Sequence, residues 1–174
     1  MLLPPTRSDA AAPVAGVMSD GAVSGGAVRF VANELAAREA IGQVVEGLGA
    51  QEVEPDLLGP VEIVLAEVIN NVVEHAYAGM EPGEAGIEYG VDEDGLWLSF
   101  WDRGKGFPRG RLPPGNVADL LVPREELPEG GFGWFLIRSL AQGIRFERTG
   151  GVNRLHVRFG SVDEGTVDDA SAIS

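Results

Sequence analysis

The chain has 174 residues. Since a domain usually has about 100–200 residues, this length fits one domain with tails. The chain carries 27 acidic and 13 basic side chains, which give a formal net charge of −14. The absence of cysteine excludes disulfides and cysteine-based zinc sites, and the negative charge argues against duplex nucleic acid as a partner, because such binding needs Lys and Arg to displace counterions from phosphates. No apolar run approaches the ~18–20 residues that span a bilayer and no signal-peptide core is visible, so we expect no membrane partner and a cytoplasmic location.

The charge is distributed unevenly along the chain. Residues 33–99 carry 15 acidic side chains and one basic one, whereas residues 101–160 carry ten basic and six acidic ones. Charged residues on solvated helix faces account for the acidic half by themselves. The basic half calls for a more specific explanation, such as an anionic ligand.

The first half of the chain predicts a tail, a strand and two helices. Residues 1–26 are rich in Ala, Gly, Ser and Pro, which is typical of a flexible tail. Residues 27–32 have the character of a strand, and Asn33 is a candidate N-cap for a helix that continues to about Leu48. A second helix begins near Pro55, and its periodicity is strongest from Val61 to Tyr77.

The second half predicts two hairpins separated by a long loop and a helix. Residues 83–95 and the strand that ends at Asp102 flank a tight acidic turn at 92–95. Residues 103–131 are rich in Gly and Pro, with one short helix expected near residues 117–121. A helix over residues 132–142 precedes a hairpin formed by residues 144–149 and 154–159, and the acidic segment 161–174 is expected to be frayed.

This order of elements predicts an α+β fold. Because hairpins dominate, we expect a two-layer sandwich in which a mixed, mainly antiparallel sheet carries helices on one face. The order does not match the alternating strands and helices of a Rossmann fold.

The second helix carries polar residues that an ordinary surface helix does not need. Glu67, Asn70, Asn71, Glu74 and His75 share the face opposite its apolar stripe. Asn is unfavourable in the middle of a helix, and Glu67 and Asn71 lie one turn apart. A carboxylate beside an amide oxygen suits a general base next to a magnesium ligand. The alternative is a plain amphipathic helix whose polar side faces water.

Two glycine-containing segments follow. The first contains Asp102, Gly104 and Gly106 at the end of a strand. A carboxylate there can accept a hydrogen bond from an exocyclic amine, and glycine lets the backbone approach a flat base. A simple bend in the chain explains these residues equally well. Gly131 and Gly133 open the next helix, whose free N–H groups favour an anion. The segment lacks the ending of a Walker A loop, and a glycine-rich hinge is the alternative there.

In combination and in this order, the three segments resemble the N-box, G1 box and G2 box of the GHKL ATP-binding domains. More narrowly, the chain resembles the bacterial anti-sigma factor serine/threonine kinases of the partner-switching type. The resemblance covers about residues 28–160. It implies that residues 27–160, between the two tails, are a kinase domain with the Bergerat-type ATP-binding fold. The segments that carry it are Glu67-x-x-x-Asn71-x-x-x-His75-x-Tyr77, Asp102-x-Gly104-x-Gly106, and Gly130-Gly131-Phe132-Gly133-Trp134-Phe135-Leu136-Ile137.

The resemblance also implies a role for each site residue. Glu67 would be the general base and Asn71 the ligand of magnesium. Asp102 would bind the adenine amine, with Gly104 and Gly106 shaping the base pocket. Residues 108–131 would form the ATP lid. Gly131 and Gly133 would lie near the phosphates, whose charge nearby basic side chains would offset: Arg103, Lys105, Arg109, Arg111 and Arg124.

Two positions depart from the pattern of the family. Relatives often carry an Arg just before the G2 glycines, where this chain has Pro128 and Glu129. The last hairpin often offers a Ser or Thr near the adenine, where this chain has Gly151-Val152-Asn153. Nucleotide affinity or turnover is therefore expected to differ from that of relatives.

The function implied is an ATP- and magnesium-dependent protein serine/threonine kinase that also sequesters a partner. The substrate would be a STAS-type anti-anti-sigma protein, and the sequestered target would be a sigma factor or another protein. Relatives of this type are often homodimers. A non-catalytic module that binds ATP, or only protein, is the alternative. The catalytic domain of a histidine kinase fits less well, because no phosphoacceptor helical hairpin precedes the domain.

Overall fold

The computed structural model describes residues 24–51, 53–113, 115 and 131–160. The predicted short helix near residues 117–121, Arg124, most of the predicted lid and the predicted C-terminal tail lie outside these residues. The elements in chain order are β1 (Ser24–Val31), α1 (Glu34–Gly49), α2 (Pro55–Asn71), a π-helical turn (Val72–Ala76), β2 (Glu84–Asp92), β3 (Gly95–Asp102), a short 3-10 turn (Pro108–Gly110), α3 (Gly131–Leu140), β4 (Gly143–Thr149) and β5 (Val152–Phe159).

The α+β fold is confirmed. The five strands form one sheet in the order β1-β2-β3-β5-β4, and every pairing in it is antiparallel. The predicted hairpins are β2–β3, which turns at residues 93–94, and β4–β5, which turns at residues 150–151. The order places β5 beside β3, with Phe100 opposite Leu155. Segments far apart in the chain therefore meet at the centre of the sheet.

The core lies between the helices and one face of the sheet. Alternate residues of the strands point into it, as the twofold period of a strand requires, and α1 and α2 contribute their apolar faces. The largest fully buried members of this core from the helices are Val44, Leu48, Val61, Val64, Leu65, Ile69 and Ile137, and those from the strands are Ile87, Leu96, Leu98, Val157 and Phe159.

Local signals explain where the first helix begins. Asn33 caps α1, because its Oδ1 accepts a hydrogen bond from the backbone N–H of Ala36 at 2.9 Å. α2 has Pro55 at its first position, where a missing N–H costs nothing. Both helix starts were predicted from these residues.

Strand β1 begins at Ser24, three residues before the predicted start. Gly25 and Gly26 pair with Gly90 and Tyr89 of β2. A Cβ on Gly26 would collide with the Tyr89 ring. Gly25 and Gly26, which were assigned to the tail by composition, are therefore part of the strand, and the absence of a side chain at Gly26 leaves room for the Tyr89 ring.

The second helix does not continue as an α-helix to Tyr77. It changes to a π-helical turn at Val72, which spans five residues and ends at Ala76. The reason is tertiary: the Ala76 carbonyl accepts a hydrogen bond from the Lys105 N–H at 2.7 Å, and the buried Tyr77 hydroxyl accepts one from the Arg103 N–H at 3.1 Å. Such turns occur frequently at functional sites.

Among the described residues, no helix is both long and apolar enough to cross a membrane.

Candidate nucleotide-binding site

A cavity of about 500 Å³ lies between α2, the end of β3, the start of α3 and the β4–β5 hairpin. Three of the predicted site residues line it, namely Asn71, Asp102 and Gly106. Its apolar walls include Val68, Val72, Ala76, Phe100, Phe107, Trp134, Phe146 and Leu155. A mostly apolar cavity with a few polar groups is the usual form of a small-molecule site.

The remaining predicted residues lie just outside the wall. Glu67 precedes Asn71 by one turn of α2, and its carboxylate lies against the backbone of Gly133. Gly131 is the first residue of α3. Gly104 lies behind the wall, against Ala76. The structure therefore brings all three sequence segments to one place, with Asp102 on β3 and Glu67 near the start of α3.

Asn71 is oriented by its own helix. Its Nδ2 donates a hydrogen bond to the Glu67 carbonyl at 2.6 Å. Because the amide nitrogen is used in this way, the Oδ1 atom is left as the acceptor of the side chain. Asn71 lines the cavity, and an amide oxygen is a hard donor of the kind that magnesium prefers.

Asp102 is the buried carboxylate of the site, with 7% of its surface exposed. Its Oδ1 accepts hydrogen bonds from the Gly104 N–H and from Asn153 Nδ2, both at 2.8 Å. None of the hydrogen bonds among the described residues uses Oδ2. Burial raises the pKa of Asp102, while the Asn153 and Gly104 hydrogen bonds and the Arg148 charge act in the opposite direction. The free oxygen of this side chain suits a donor group on a ligand.

Gly104 occupies a position where no side chain fits. A Cβ there would collide with the Ala76 carbonyl oxygen at the end of the π-helical turn. The next residue, Lys105, donates its backbone N–H to that same carbonyl. The glycine thus brings the segment after β3 into contact with the π-helical turn, and Ala76 and Lys105, which meet there, both line the cavity.

Glu67 has an environment suited to a base. Partial burial raises its pKa, and the negative charge of Glu74 raises it further. Carboxylates tuned in this direction are more effective proton acceptors near neutral pH than ordinary ones.

Sequence reasoning did not find two polar contributors from the last hairpin. Asn153 was noted only as a departure from the family, and Arg148 was not singled out. Arg148 Nη1 donates to the Gly104 carbonyl at 3.0 Å and also to Asn153 Oδ1. Pairing of β5 with β3 puts Asn153 opposite Asp102. The sequence does not show that register, because 49 residues separate the two strands (103–151).

An aromatic cluster was also missed. Phe107 makes edge-to-face contacts with Trp134 and Phe146, with ring centroids 5.2 and 4.8 Å apart respectively. The three rings come from three different segments and line the cavity together. They provide an aromatic, apolar wall against which a planar ligand can pack.

Of the basic residues predicted to offset phosphate charge, Arg103, Arg109 and Arg111 are exposed and do not line the cavity. Lys105 lines the cavity, and its ammonium donates to the Ala78 carbonyl at 2.5 Å. Arg138 of α3 was not among them. Its Nε and Nη2 donate to the Pro113 carbonyl at 3.0 and 2.9 Å, so α3 fixes the chain where the predicted lid begins.

The donor set fits a magnesium ion that takes most of its ligands from phosphate and water. The described residues contain no group of three or more His, Asp or Glu side chains able to hold a metal by themselves. Asn71 Oδ1 offers one hard oxygen, and Mg²⁺ at nucleotide sites usually takes only one or two protein ligands. A magnesium ion bound together with a nucleotide therefore needs no further protein ligands at this site.

Comparison with known proteins agrees with this geometry. Residues 30–159 match the histidine kinase-like ATPase domain family. The serine-protein kinase RsbW of Oceanobacillus iheyensis is 32% identical over 112 residues, which cover 62% of this chain and 69% of that protein. The serine-protein kinase RsbW of Halalkalibacterium halodurans is 33% identical over 123 residues, covering 67% of this chain and 73% of that protein.

A solved structure shares the fold. The crystal structure of the RsbU and RsbW domains of Rv1364c from Mycobacterium tuberculosis aligns with a TM-score of 0.53 at 18% identity. The alignment covers 79% of this chain and 33% of that one, so the chain spans about a third of the length of that solved chain. The family match and the sequence relatives show that the chain belongs to the histidine kinase-like ATPase domain family and, within it, to the anti-sigma factor serine/threonine kinases of the RsbW type.

Proposed function

We propose that this protein is an ATP-dependent serine/threonine kinase that acts as an anti-sigma regulator and phosphorylates a STAS-type anti-anti-sigma factor. The observation that carries the proposal is the arrangement along α2. Glu67 and Asn71 lie one turn apart, and the cavity that Asn71 lines extends to the buried carboxylate of Asp102. A nucleotide-binding module without catalysis has no use for a carboxylate with a raised pKa beside the phosphate end of the site.

The residues account for each part of the transfer. Asp102 Oδ2 accepts a hydrogen bond from the adenine amine, and the base packs among Phe107, Trp134 and Phe146. Asn71 Oδ1 would hold the magnesium ion, which neutralises phosphate charge as the transfer proceeds. Gly131 and Gly133 let the backbone at the start of α3 approach the phosphates, where its free N–H groups favour negative charge.

The chemical step is an in-line displacement. The hydroxyl oxygen of the substrate Ser or Thr forms a bond to the γ-phosphorus while the bond from that phosphorus to the leaving oxygen of ADP breaks. Glu67 accepts the hydroxyl proton. The raised pKa of Glu67 supports this role, because a base works best when its pKa approaches the operating pH.

The partners in this proposal come from the family. Relatives that share about a third of their residues are serine-protein kinases named RsbW, which supports protein rather than a small molecule as phosphate acceptor. We assign the acceptor to a STAS-domain protein and the sequestered target to a sigma factor, with the kinase acting as a homodimer in the cytoplasm.

The proposal is tested with the purified full chain, Mg²⁺, γ-labelled ATP and the STAS protein encoded nearest its gene. Wild type should label a Ser or Thr of that protein. Glu67→Gln should lower transfer by at least about 100-fold, the usual contribution of a positioned base, while ATP affinity stays within about twofold. The control is Glu62→Gln on the exposed face of the same helix, which should transfer at the wild-type rate.

Two results would reject the kinase. Wild type that binds ATP but labels no STAS protein would favour a non-catalytic, protein-sequestering module. Full activity in Glu67→Gln would remove the base from the mechanism.

A further inference from the structure

The carboxylate of Asp102 is held by a side chain from the opposite strand. Asn153 of β5 faces Asp102 of β3 in the sheet register, and its Nδ2 donates to Asp102 Oδ1 at 2.8 Å. Asn153 is 5% exposed. A buried amide must satisfy its donors and its acceptor within the protein, so its remaining partners decide how firmly it is held.

Those partners leave Asn153 one orientation. Besides Asp102, its Nδ2 donates to the Lys105 carbonyl at 3.1 Å, and its Oδ1 accepts from Arg148 Nη1. Turning the amide over would place its oxygen against two acceptors and its nitrogen against a cation. The amide therefore makes all its hydrogen bonds to the protein and is used to position other groups.

Arg148 completes this arrangement from β4. It pairs directly with Asn153 across the last hairpin, and the same Nη1 donates to the Gly104 carbonyl at 3.0 Å. Its aliphatic stem lies over Gly106, where a Cβ would be 3.0 Å from Arg148 Cδ. One guanidinium nitrogen thus joins Asn153 to the backbone that follows Asp102.

We propose that Arg148 is a positioning residue for base selection: through Asn153 and the Gly104 carbonyl it fixes Asp102 with Oδ1 occupied and Oδ2 presented to an exocyclic amine. The inference rests on the ATP-binding part of the proposed function and extends it to a residue that does not contact the base. A purine with an oxygen in place of the amine would set two acceptors against each other, and unmatched polar groups in a buried site discriminate strongly.

The test compares two ligands that differ by the amine alone. Binding of ATP and of purine riboside triphosphate, which lacks the amine, is measured by calorimetry for wild type and for Arg148→Met, which keeps the aliphatic stem and loses the donors. Wild type should prefer ATP. Arg148→Met should weaken ATP binding about tenfold, the size expected for a charge-assisted hydrogen bond, and weaken the amine-free ligand less than about twofold. In the kinase assay, KM for ATP should rise while kcat stays within about twofold.

A matched control separates this effect from the loss of a positive charge. Arg145 lies on the same strand three residues earlier, on the opposite face, and its guanidinium pairs with Glu147. Arg145→Met removes the same charge without touching Asn153 and should bind both ligands as wild type does.

A second variant tests the path through Asn153. Asn153→Leu keeps the size and removes the amide, so adding Arg148→Met to it should lower the preference for ATP by a clearly smaller factor than Arg148→Met does alone, because only the hydrogen bond to the Gly104 carbonyl remains to be lost. If Arg148→Met weakens the binding of both ligands equally, or of neither, the preference for ATP is unchanged. Either result would overturn the inference alone, and an equal weakening would assign Arg148 to the phosphates or to general structure. Wild type that binds neither ligand would overturn the proposed function and the inference with it.

Discussion

The carboxylate of Glu67 lies against the backbone of Gly133, so closely that a Cβ at that position would overlap Glu67 Oε2. The contact joins α2 to the start of α3, two elements separated in sequence by the whole β2–β3 hairpin. Because Gly133 has no side chain, the carboxylate can rest at the end of the site where we place the phosphates. The position of the base is thus set by a glycine on another helix.

Gly133→Ala should therefore impair catalysis more than binding. The added methyl group displaces the Glu67 carboxylate, and we expect kcat to fall about tenfold or more, since small misplacements of a reacting group are costly. KM for ATP should rise by a smaller factor than kcat falls, because the atoms closest to the added methyl group belong to Glu67, although the approach of this backbone to the phosphates is also affected. Steady-state kinetics with the STAS substrate measure both. An unchanged kcat would show that Glu67 does not need this position.

Gly104→Ala should weaken the whole nucleotide site. A methyl group there collides with the Ala76 carbonyl, so the segment after β3 must move away from the π-helical turn. We expect a loss of about 1–3 kcal/mol in stability, typical of overpacking, and ATP binding weaker by at least about tenfold. The control is Gly42→Ala in α1, where a Cβ has open space and should stabilise the helix by up to about 1 kcal/mol. Urea unfolding and calorimetry distinguish the two; equal effects would contradict the close contact.

Asp102→Asn should exchange binding for stability. Burial raises the pKa of Asp102, so its ionised form costs folding free energy at neutral pH, and that cost disappears as the pH falls below the raised pKa. The amide keeps an oxygen for Gly104 and Asn153 but turns a donor toward the cavity. We expect a melting temperature higher by about 2–4 °C at neutral pH, a smaller difference in acid, and ATP binding weakened more than about tenfold. A variant that melts earlier at neutral pH would contradict this.

Glu74→Gln should shift the pH dependence of transfer. Only the ionised form of Glu67 accepts a proton, so kcat/KM rises with pH through its pKa, which lies above the usual value. The charge of Glu74 is one cause of that elevation. Removing it lowers the pKa of Glu67 and moves the acidic limb of the profile to lower pH. Glu62→Gln should leave the limb in place, and an unmoved limb in Glu74→Gln would separate Glu67 from the observed ionisation.

The fold was readable from local signals where those signals are strong. The acidic turn after Asp92 predicted the first hairpin, Asn33 predicted the start of α1, and the apolar period of α2 predicted its buried face. The π-helical turn was not readable, because Val72 to Ala76 have ordinary helical spacing and the turn is held by Lys105 and Tyr77 through contacts distant in sequence.

The candidate site was readable only where one segment carried its own chemistry. Glu67 with Asn71 and Asp102 with its glycines stood out by residue type and spacing. Asn153 was noted only as a departure from the family and Arg148 was missed, because their importance comes from the register between β3, β5 and β4. That register depends on packing across the long segment between residues 103 and 142, which no local pattern encodes.

The order of the strands has a consequence for synthesis of the protein. Asp102 and Asn71 emerge from the ribosome well before Arg148 and Asn153, and until β5 pairs with β3 the central strand has a bare edge. A nascent chain that ends before the last hairpin carries Asp102 yet lacks Asn153 and Arg148, which hold its carboxylate for ATP. Bound nucleotide therefore stabilises only the finished domain, and truncated chains are expected to bind it weakly.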